Sequence, residues 1–259
     1  MTIASEQVER MLPLYEAKMI HHYDHRWATY EPDGSTRDVT LEEKQDPDFV
    51  VLPRYWVRES VVKDRLEGRW DRDWILGWRD ICRSTDERTM IASSFPTTAV
   101  GHTMPIGLAD SELDLLQGVW TSFVFDFVAR QKVGGTHMTY GYLNQLATLV
   151  PQVSLPWGDD RTWIIFRVQW LRSPASWAHE LMDFVRAELD AAMFFLYGIE
   201  RDDVDYIMDT FPIVKRKDEA AHGEYRTKRL ILDVYDQMAE AIAVGTPYVS
   251  PFDTPIAEG

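Results

Sequence analysis

Residues 123–142, FVFDFVARQKVGGTHMTYGY, join an apolar segment to a polar, glycine-rich turn. Arg130 and Lys132 lie where an apolar helix would end, and cations suit that end of a helix dipole. Gly134 and Gly135 then predict the helix terminus, because glycine takes positive φ without strain. Apolar residues recur at steps of three and four, which predicts one buried helical stripe: Leu116, Trp120, Phe123, Val124, Phe127 and Val128.

The start of this predicted helix carries a capping signal. Asp110 or Ser111 can accept free backbone N–H groups, and Ser111 with Asp114 has the spacing of a capping box. Two interpretations of the stretch stay open. It is a capped core helix closed by a turn, or its tip faces a phosphate or a base edge. The second interpretation involves Arg130, Lys132, Gly134, Gly135, Thr136 and His137.

Composition limits the class of protein. The chain has 259 residues, 45% of them hydrophobic, which allows one large domain or two small ones with a substantial core. The single cysteine, Cys82, excludes an internal disulfide framework and a cysteine-rich zinc site. The first residues, MTIASEQVER, lack the pattern of a signal peptide, and no stretch approaches a membrane span. We therefore expect a cytoplasmic protein with no membrane association.

The net charge of −15 counts against a freestanding binder of duplex DNA, since such domains usually carry a basic surface. Residues 211–230 are a local exception, with six Lys or Arg against three Asp or Glu. Any contact with nucleic acid would have to use such a basic island, or be supported by another subunit.

The order of elements predicts an α+β fold, with strands and a helix in residues 1–152 and mainly helices in residues 153–259. A proline-containing segment at 151–160 marks the boundary. The predicted strands are 49–57, 74–82, 89–95, 97–103 and 163–170. The predicted helices, besides the one above, are a charged stretch at 59–72 and apolar faces at 181–196, 204–211 and 230–242, stopped by Gly198, Pro212 and Gly245.

Three imidazoles and a carboxylate crowd one short segment: His21, His22, Asp24 and His25. These groups are chemically able to hold zinc. Tight local clusters seldom converge on one ion, however, and the helical HExxH spacing is missing. The sequence favours a polar strand or loop with Tyr23 and Trp27 packed inward, and we expect no metal.

Several motifs of catalysis are missing from the sequence. It has no GxGxxG, GxxxxGK[ST] or GxSxG. Asn144 is the only asparagine and Gln145 follows it, so the Asn-Pro-Pro-aromatic motif of adenine methyltransferases is impossible. No (Asp/Glu)-x-Lys follows Pro47-Asp48, which leaves the usual nuclease metal site unsupported. We therefore expect no enzymatic activity.

Six blocks of the chain carry a resemblance to known proteins: LPLYEAKMIHHYDHRWATYE, RYWVRESVV, DICRSTDERTMIAS, SFVFDFVARQKVGGTHMTYGYLNQL, LYGIERDDVDYIMDTFPIVKRKDE and GEYRTKRLIL. In this order they resemble the C-terminal part of large fused adenine-N6 DNA methyltransferases. These are the type IIG restriction–modification enzymes and the related phage-defence (BREX-type) methyltransferases. The resemblance covers roughly residues 12–238, nearly the whole chain.

The resemblance implies a target recognition domain with its trailing helices, which reads double-stranded DNA. An upstream domain of the family binds S-adenosylmethionine and transfers the methyl group, so this chain would itself hold no cofactor. The positions that match the family blocks are candidate DNA contacts in this chain: Arg130, Lys132, Gly134, Gly135, Thr136, His137, Lys18, Lys215, Arg216, Lys217, Arg226 and Lys228. For the histidine segment, packing within the fold is favoured over contact with DNA.

The chain departs from the family in two ways. The catalytic domain is missing, so the chain is a fragment, a split subunit or a relic. Residues 146–149, LATL, stand where the family commonly has a Leu-Pro pair.

We therefore expect a non-catalytic DNA-recognition module that works with a methyltransferase or another defence-system subunit. The alternatives are a protein-interaction subunit with little DNA binding, a metal enzyme that uses residues 21–25, and an acidic mimic of DNA.

Overall fold

Short strands dominate the first hundred residues, and they pair across long distances in sequence. The computed structural model describes residues 9–46, 48–110, 112–149, 154–158, 161–173 and 181–253. Eight strands lie within these ranges: β1 (Met11–Tyr15), β2 (Ala28–Tyr30), β3 (Thr36–Asp38), β4 (Trp56–Arg58), β5 (Trp74–Trp78), β6 (Ala92–Pro96), β7 (Ala99–Val100) and β8 (Ile106–Gly107).

The strands form three small sheets. In the first, β1 lies between an antiparallel β4 and a parallel β7. In the second, β2 and β3 form a hairpin around Gly34, whose φ of +83° suits glycine alone. In the third, β5 lies between β6 and β8, both antiparallel. Gly77 in β5 is enforced by packing, because a Cβ there would lie 2.8 Å from a ring carbon of Phe95.

Helices make up most of the remaining chain. Those in the described ranges are α1 (Leu41–Gln45), α2 (Glu59–Leu66), α3 (Leu113–Thr121), α4 (Phe123–Lys132), α5 (Tyr140–Leu143), α6 (Arg161–Arg172), α7 (Met182–Leu196), α8 (Arg201–Asp209), α9 (Pro212–His222) and α10 (Arg226–Val244). Strands and helices are thus largely segregated along the chain, and the predicted α+β class is confirmed.

The long helix expected from the apolar stripe is two helices. The chain breaks at Ser122, whose backbone is extended (φ −71°, ψ 153°) and whose Oγ accepts the Phe125 N–H. The expected cap is also wrong: α3 begins after Glu112, whose side chain makes no capping hydrogen bond, and Ser111 lies outside the described residues. The predicted glycine terminus is wrong in detail, because α4 ends at Lys132 with Val133 as its C-cap, and neither following glycine has positive φ.

The predicted strand at 163–170 is helix α6. Its apolar run, rich in aromatic and β-branched residues, has the composition of a strand. The buried positions are instead spaced by one, three and four residues, as one face of a helix requires: Trp163, Ile164, Arg167, Val168 and Leu171.

Other predicted strands are shorter than expected. Of residues 49–57 only the end is strand, in β4, and of 97–103 only β7. The C-terminal helices agree with their apolar faces, and Gly198 and Gly245 take positive φ just after α7 and α10. Pro212, expected to stop a helix, is the first residue of α9, where its missing N–H costs nothing.

Two hydrophobic clusters hold the fold together. The smaller lies among β1, β5, β6 and the segment before β2, and includes Tyr15, Ile75 and Phe95. The larger runs from β5 through α3 and α4 to the C-terminal helices, so it joins residues on both sides of the expected boundary at 152. Within the described ranges, no helix combines the length and the apolar character needed to cross a membrane.

Candidate functional site

Residues 21–25, the histidine segment, form a tight turn whose side chains point towards different parts of the fold. His21 N–H donates to the Asp24 carbonyl, and Asp24 N–H donates back, at 2.7 and 3.0 Å. Tyr23, between them, has φ of +61°, an unusual conformation for a residue with a Cβ. Asp24 pairs with Lys44 at 2.6 Å, and the ring of His25 packs edge-on against Trp74. In the part of the chain that the structure describes, no group of three His, Cys, Asp or Glu side chains is placed to hold a metal ion.

The inner side of this turn borders a cavity of about 170 Å³. Helices α3, α4, α7, α9 and α10 and the loop at residues 83–88 close the other sides. Many of the lining side chains are polar or ionisable, which is unusual for the space between packed helices. The principal ones are His21, His22, Arg88, Thr121, Arg186 and Asp190.

His22 is the most unusual residue of the cavity. It is 7% exposed, and among the described residues neither of its ring nitrogens has a hydrogen-bond partner. Burial lowers the pKa of the imidazole well below its ordinary value, and the neighbouring Arg88 lowers it further. The neutral ring therefore brings one unused donor and one unused acceptor to the cavity.

The two arginines of the cavity differ in their partners. Arg88 is engaged: its Nε donates to Asp126 at 2.6 Å and its Nη2 to the Thr121 carbonyl at 2.6 Å. Arg186, on α7, has no ion pair with any residue that the structure describes, and its buried Nε has no hydrogen-bond partner there. Arg186 thus brings a positive charge and an unused N–H donor to the cavity wall, where its charge also acts on the carboxyl of Asp190.

Asp190 lies one turn further along α7 and accepts the Phe123 N–H at 2.7 Å, at the start of α4. Burial raises the pKa of its carboxyl to about 6, although Arg88 and that hydrogen bond act in the opposite direction. Tyr23 and Thr121 share a hydrogen bond of 2.5 Å between their hydroxyls on the same wall. The left-handed turn at Tyr23 is therefore tied directly to α3.

Arg130, the first cation predicted to touch DNA, is occupied within the fold. Its guanidinium donates to the carbonyls of Asp86 and Glu87 at 2.6 Å each, and to that of Thr210 at 3.3 Å. It also stacks on the Phe211 ring, 4.0 Å from the centroid. These contacts fit the interpretation of the stretch as part of the core.

In the glycine turn, Thr136 and His137 contact the rest of the fold, whereas Gly134 and Gly135 face solvent. The Thr136 carbonyl accepts the Cys82 N–H at 3.0 Å, and His137 Nδ1 lies 2.9 Å from Asp80 Oδ2. Gly134 and Gly135 are exposed, and the space beside the Gly135 backbone is empty for 4 Å.

Most basic residues of the C-terminal block form ion pairs. Lys228 lies 2.9 and 3.0 Å from Asp205 and Asp209, and Arg226 pairs with Asp183. Lys217 pairs with Glu87.

Three exposed cations of the predicted set have no ion pair with the described residues: Lys132, Lys215 and Arg216. Lys18 is exposed too, with Nζ 4.5 Å from the centroid of the Tyr30 ring.

The loop at residues 83–88 brings two of the predicted blocks together. Arg130 at the end of α4 holds its backbone carbonyls, and Lys217 of α9 pairs with its Glu87 side chain. Lys132 lies two residues after Arg130 in the sequence, and Lys215 and Arg216 directly precede Lys217. None of the described contacts joins Lys18 to this loop. We call Lys132, Lys215 and Arg216 the exposed basic set.

Sequence reasoning missed the cavity residues Arg88, Arg186 and Asp190. A weak signal existed for the last of these, because Asp190, like the buried Glu188, is an acid within an otherwise apolar run of α7. Nothing in the local pattern points from there to His22, which lies far away in sequence.

Comparison with known proteins adds no further constraint: no family model, no curated protein and no solved structure matches the chain.

Proposed function

We propose that the chain is a non-catalytic DNA-recognition module of a restriction–modification or phage-defence adenine methyltransferase system. The observation that supports it best is the meeting of two sequence blocks at the 83–88 loop, together with three exposed cations, the exposed basic set, that lie within two residues of the contacting Arg130 and Lys217 and have no ion pair with the described residues. Exposed cations without an ion-pair partner are what binding to DNA phosphates requires. The resemblance of six ordered blocks supplies the rest of the argument.

The predicted residues take different roles in this proposal. Lys132, Lys215 and Arg216 contact phosphates directly, and Lys18 is a separate anchor. Thr136 and His137, with the open backbone of the two glycines, approach the base edges. Arg130 positions the 83–88 loop, and the ion-paired Lys217, Arg226 and Lys228 add to the local potential. The methyltransferase that binds S-adenosylmethionine acts in trans in the cytoplasm.

The net charge of −15 gives this proposal a specific consequence. Repulsion between the acidic surface and DNA weakens binding, and the attraction of cations for DNA phosphates falls steeply as salt rises. The chain alone therefore binds DNA measurably only at low salt, and its methyltransferase partner supplies additional phosphate contacts.

The test is a salt series of binding to a pool of random duplex DNA, followed by sequencing of the retained fraction. We expect enrichment of a short motif that contains an adenine. A triple variant, Lys132→Gln with Lys215→Gln and Arg216→Gln, should weaken binding. It should also reduce the slope of log affinity against log salt by about 0.9 for each DNA phosphate that the variant no longer neutralises.

The matched control removes three exposed cations from α2 and the segment after it: Lys63→Gln, Arg65→Gln and Arg69→Gln. Equal losses of affinity in both triple variants would mean that only net charge matters, and would contradict the proposed surface.

A second candidate is a protein-interaction subunit of the same kind of complex. An exposed apolar surface around the edge strand β4 favours it, with Val50 65% and Tyr55 54% exposed and Leu52 and Trp56 beside them. No retention of DNA at any salt, together with co-purification of a methyltransferase, would favour this candidate over DNA recognition.

A further inference from the structure

The cavity beneath the histidine turn is lined by buried polar atoms that lack hydrogen-bond partners, and this feature is independent of the exposed basic set. Buried polar groups in proteins nearly always have a partner, and each exception requires an explanation. His22 has two ring nitrogens without a partner, and the Arg186 Nε is a third such atom among the described residues that line this cavity. Three unused polar atoms around one space point to a polar occupant.

The acids near the cavity are already compensated. Asp126 is bound by Arg88, Asp183 by Arg226, and Glu87 by Lys217. Asp190 lies in the cavity wall, and with a pKa raised to about 6 its carboxyl is still mostly ionised at pH 7, so it offsets the charge of Arg186. Asp126, however, lies against both Arg88 and Arg130. Three guanidinium groups therefore face two carboxylates, and the one positive charge left over favours an anion.

The start of α4 strengthens that preference. Ser122 and Phe123 line the cavity, and the N-terminus of a ten-residue helix carries a partial positive charge. The Phe123 N–H itself is used by Asp190, so the contribution of this helix end to the site is its dipole.

We propose that this cavity is a binding site for a small oxyanion, for which inorganic phosphate is the reference ligand. Arg186 supplies the charge and a guanidinium donor, and the His22 imidazole supplies an N–H. Arg88 adds positive potential while it remains bound to Asp126. The volume of about 170 Å³ accommodates a phosphate group with some water.

Isothermal titration calorimetry with sodium phosphate at low ionic strength tests this site, with sodium chloride at the same ionic strength as the reference. We expect saturable binding of one phosphate. The ring signals of His22 in a ¹H–¹⁵N spectrum of the imidazoles should move with the same dissociation constant. Absence of saturable heat, or His22 signals that do not respond, would overturn the proposal.

The variant that decides the question is Arg186→Gln. Arg186 makes no hydrogen bond or ion pair to the described residues, so the fold should tolerate the change. Loss of a charge-assisted hydrogen bond should weaken phosphate binding by roughly tenfold or more. Arg65→Gln, which removes an exposed charge from α2, is the matched control and should leave binding unchanged. Equal affinities for both variants would refute the site.

The phosphate could come from a free small molecule or from a DNA backbone, and one further titration separates these sources. Phosphate is titrated into the protein already saturated with a short duplex at low salt. Unchanged phosphate binding identifies a free ligand, whereas weaker phosphate binding in the presence of the duplex, together with a lower duplex affinity of Arg186→Gln, identifies a backbone phosphate. Because the reference titration uses no DNA, failure of the DNA-recognition proposal leaves this result interpretable.

Discussion

At the scale of single residues, the carboxylate of Asp126 connects three parts of the fold. Its side chain is fully buried in α4 and accepts hydrogen bonds from Arg88 at 2.6 Å and from the Thr89 N–H at 3.0 Å. Arg130, one turn later, lies 3.6 Å away and reaches across to the chain before α9. One buried acid thus holds two guanidinium groups that would otherwise lack a counter-charge.

We expect Asp126→Asn to lower the free energy of unfolding by about 3–5 kcal/mol, the usual cost of leaving a buried charge without its partner. Urea denaturation followed by tryptophan fluorescence measures this change. Asp64→Asn, an exposed acid on α2, is the control and should change stability by less than about 0.5 kcal/mol. An Asp126 variant as stable as the control would show that the two arginines find other partners.

This network also explains why Arg130 is a poor choice for testing DNA contact. Replacing Arg130 would leave three backbone carbonyls without their donor and uncover Phe211, so weaker binding could reflect impaired folding. The sequence placed Arg130 at the end of an apolar helix, and that position was informative. Its partners at Asp86, Glu87 and Thr210 are distant in sequence, and no periodic pattern encodes them.

At the scale of elements, the packing of α3 against α6 depends on Gly118. A Cβ at this position would meet Ile164 Cγ2 at 3.2 Å and Val168 Cγ2 at 3.3 Å, with Met193 Cε at 3.5 Å behind them. The glycine costs helix propensity in exchange for this close approach. It marks the point where the two halves of the larger core touch.

Two substitutions at Gly118 should therefore differ sharply. Gly118→Ala gains helix propensity and crowds its neighbours by a few tenths of an ångström, so we expect a change within about 1 kcal/mol. Gly118→Val adds two methyl groups against Ile164 and Val168 and should destabilise by about 1–3 kcal/mol. Thermal denaturation measures both changes. Gly135→Ala, made where the space is open, should be neutral, and a neutral Gly118→Val would contradict the close packing.

The spacing of apolar residues predicted helices that are buried on one face. It was less informative for segments whose burial or composition does not follow such a pattern. Helices α8 and α10 each bury a single stripe, which the sequence displays at steps of three and four. Helix α6 was hidden by a run whose composition is that of a strand. The break at Ser122 was hidden because Asp190, which holds the Phe123 N–H, belongs to a helix that begins some sixty residues later.

At the scale of the whole molecule, pH acts through groups that the fold has buried. Burial lowers the pKa of His21 and His22 well below 6.5 and that of His25 to about 4. Below pH 6.5 these three imidazoles bind protons in the unfolded chain but remain neutral in the folded chain. They therefore make the free energy of unfolding fall as pH falls. Asp190 acts oppositely, because its raised pKa of about 6 lets the folded chain bind the proton first.

We expect the free energy of unfolding to fall by roughly 2–4 kcal/mol between about pH 7 and pH 5.5, since each buried histidine contributes up to about 1.4 kcal/mol per pH unit and one carboxyl partly offsets them. The charged groups around them, Arg79, Arg88 and Arg186, repel the added protons further. Urea denaturation at the two pH values measures the change.

The residue that separates this explanation from a general acid effect is His22. His22→Gln should reduce the destabilisation by about 1 kcal/mol, whereas His102→Gln, at an exposed position, should leave it unchanged. Stability that rises as pH falls would mean that Asp190 dominates over the histidines.

The α+β class and the segregation of strands and helices could be predicted from the sequence, because both follow from local patterns. The cavity could not be predicted. His22, Arg88 and the pair Arg186 and Asp190 come from three separate places in the chain, and only the docking of α7 under the histidine turn brings them together. The glycine turn and the basic island were visible because each is a continuous segment.

The parallel pairing of β1 with β7 also sets an order for folding. Strand β1, which contains Tyr15, cannot pair with β7 until Val100 has been synthesised. His22 cannot meet Arg186 across the cavity until synthesis has reached α7. At ribosomal rates of about 5–20 residues per second, the first strand stays unpaired there for on the order of ten seconds. Hydrogen exchange on ribosome-bound chains should find the β7-facing side of β1 unprotected until residue 100 has emerged, whereas the side that pairs with β4 can be protected earlier. An emerging chain of this kind exposes an apolar strand to chaperones well before its cavity exists.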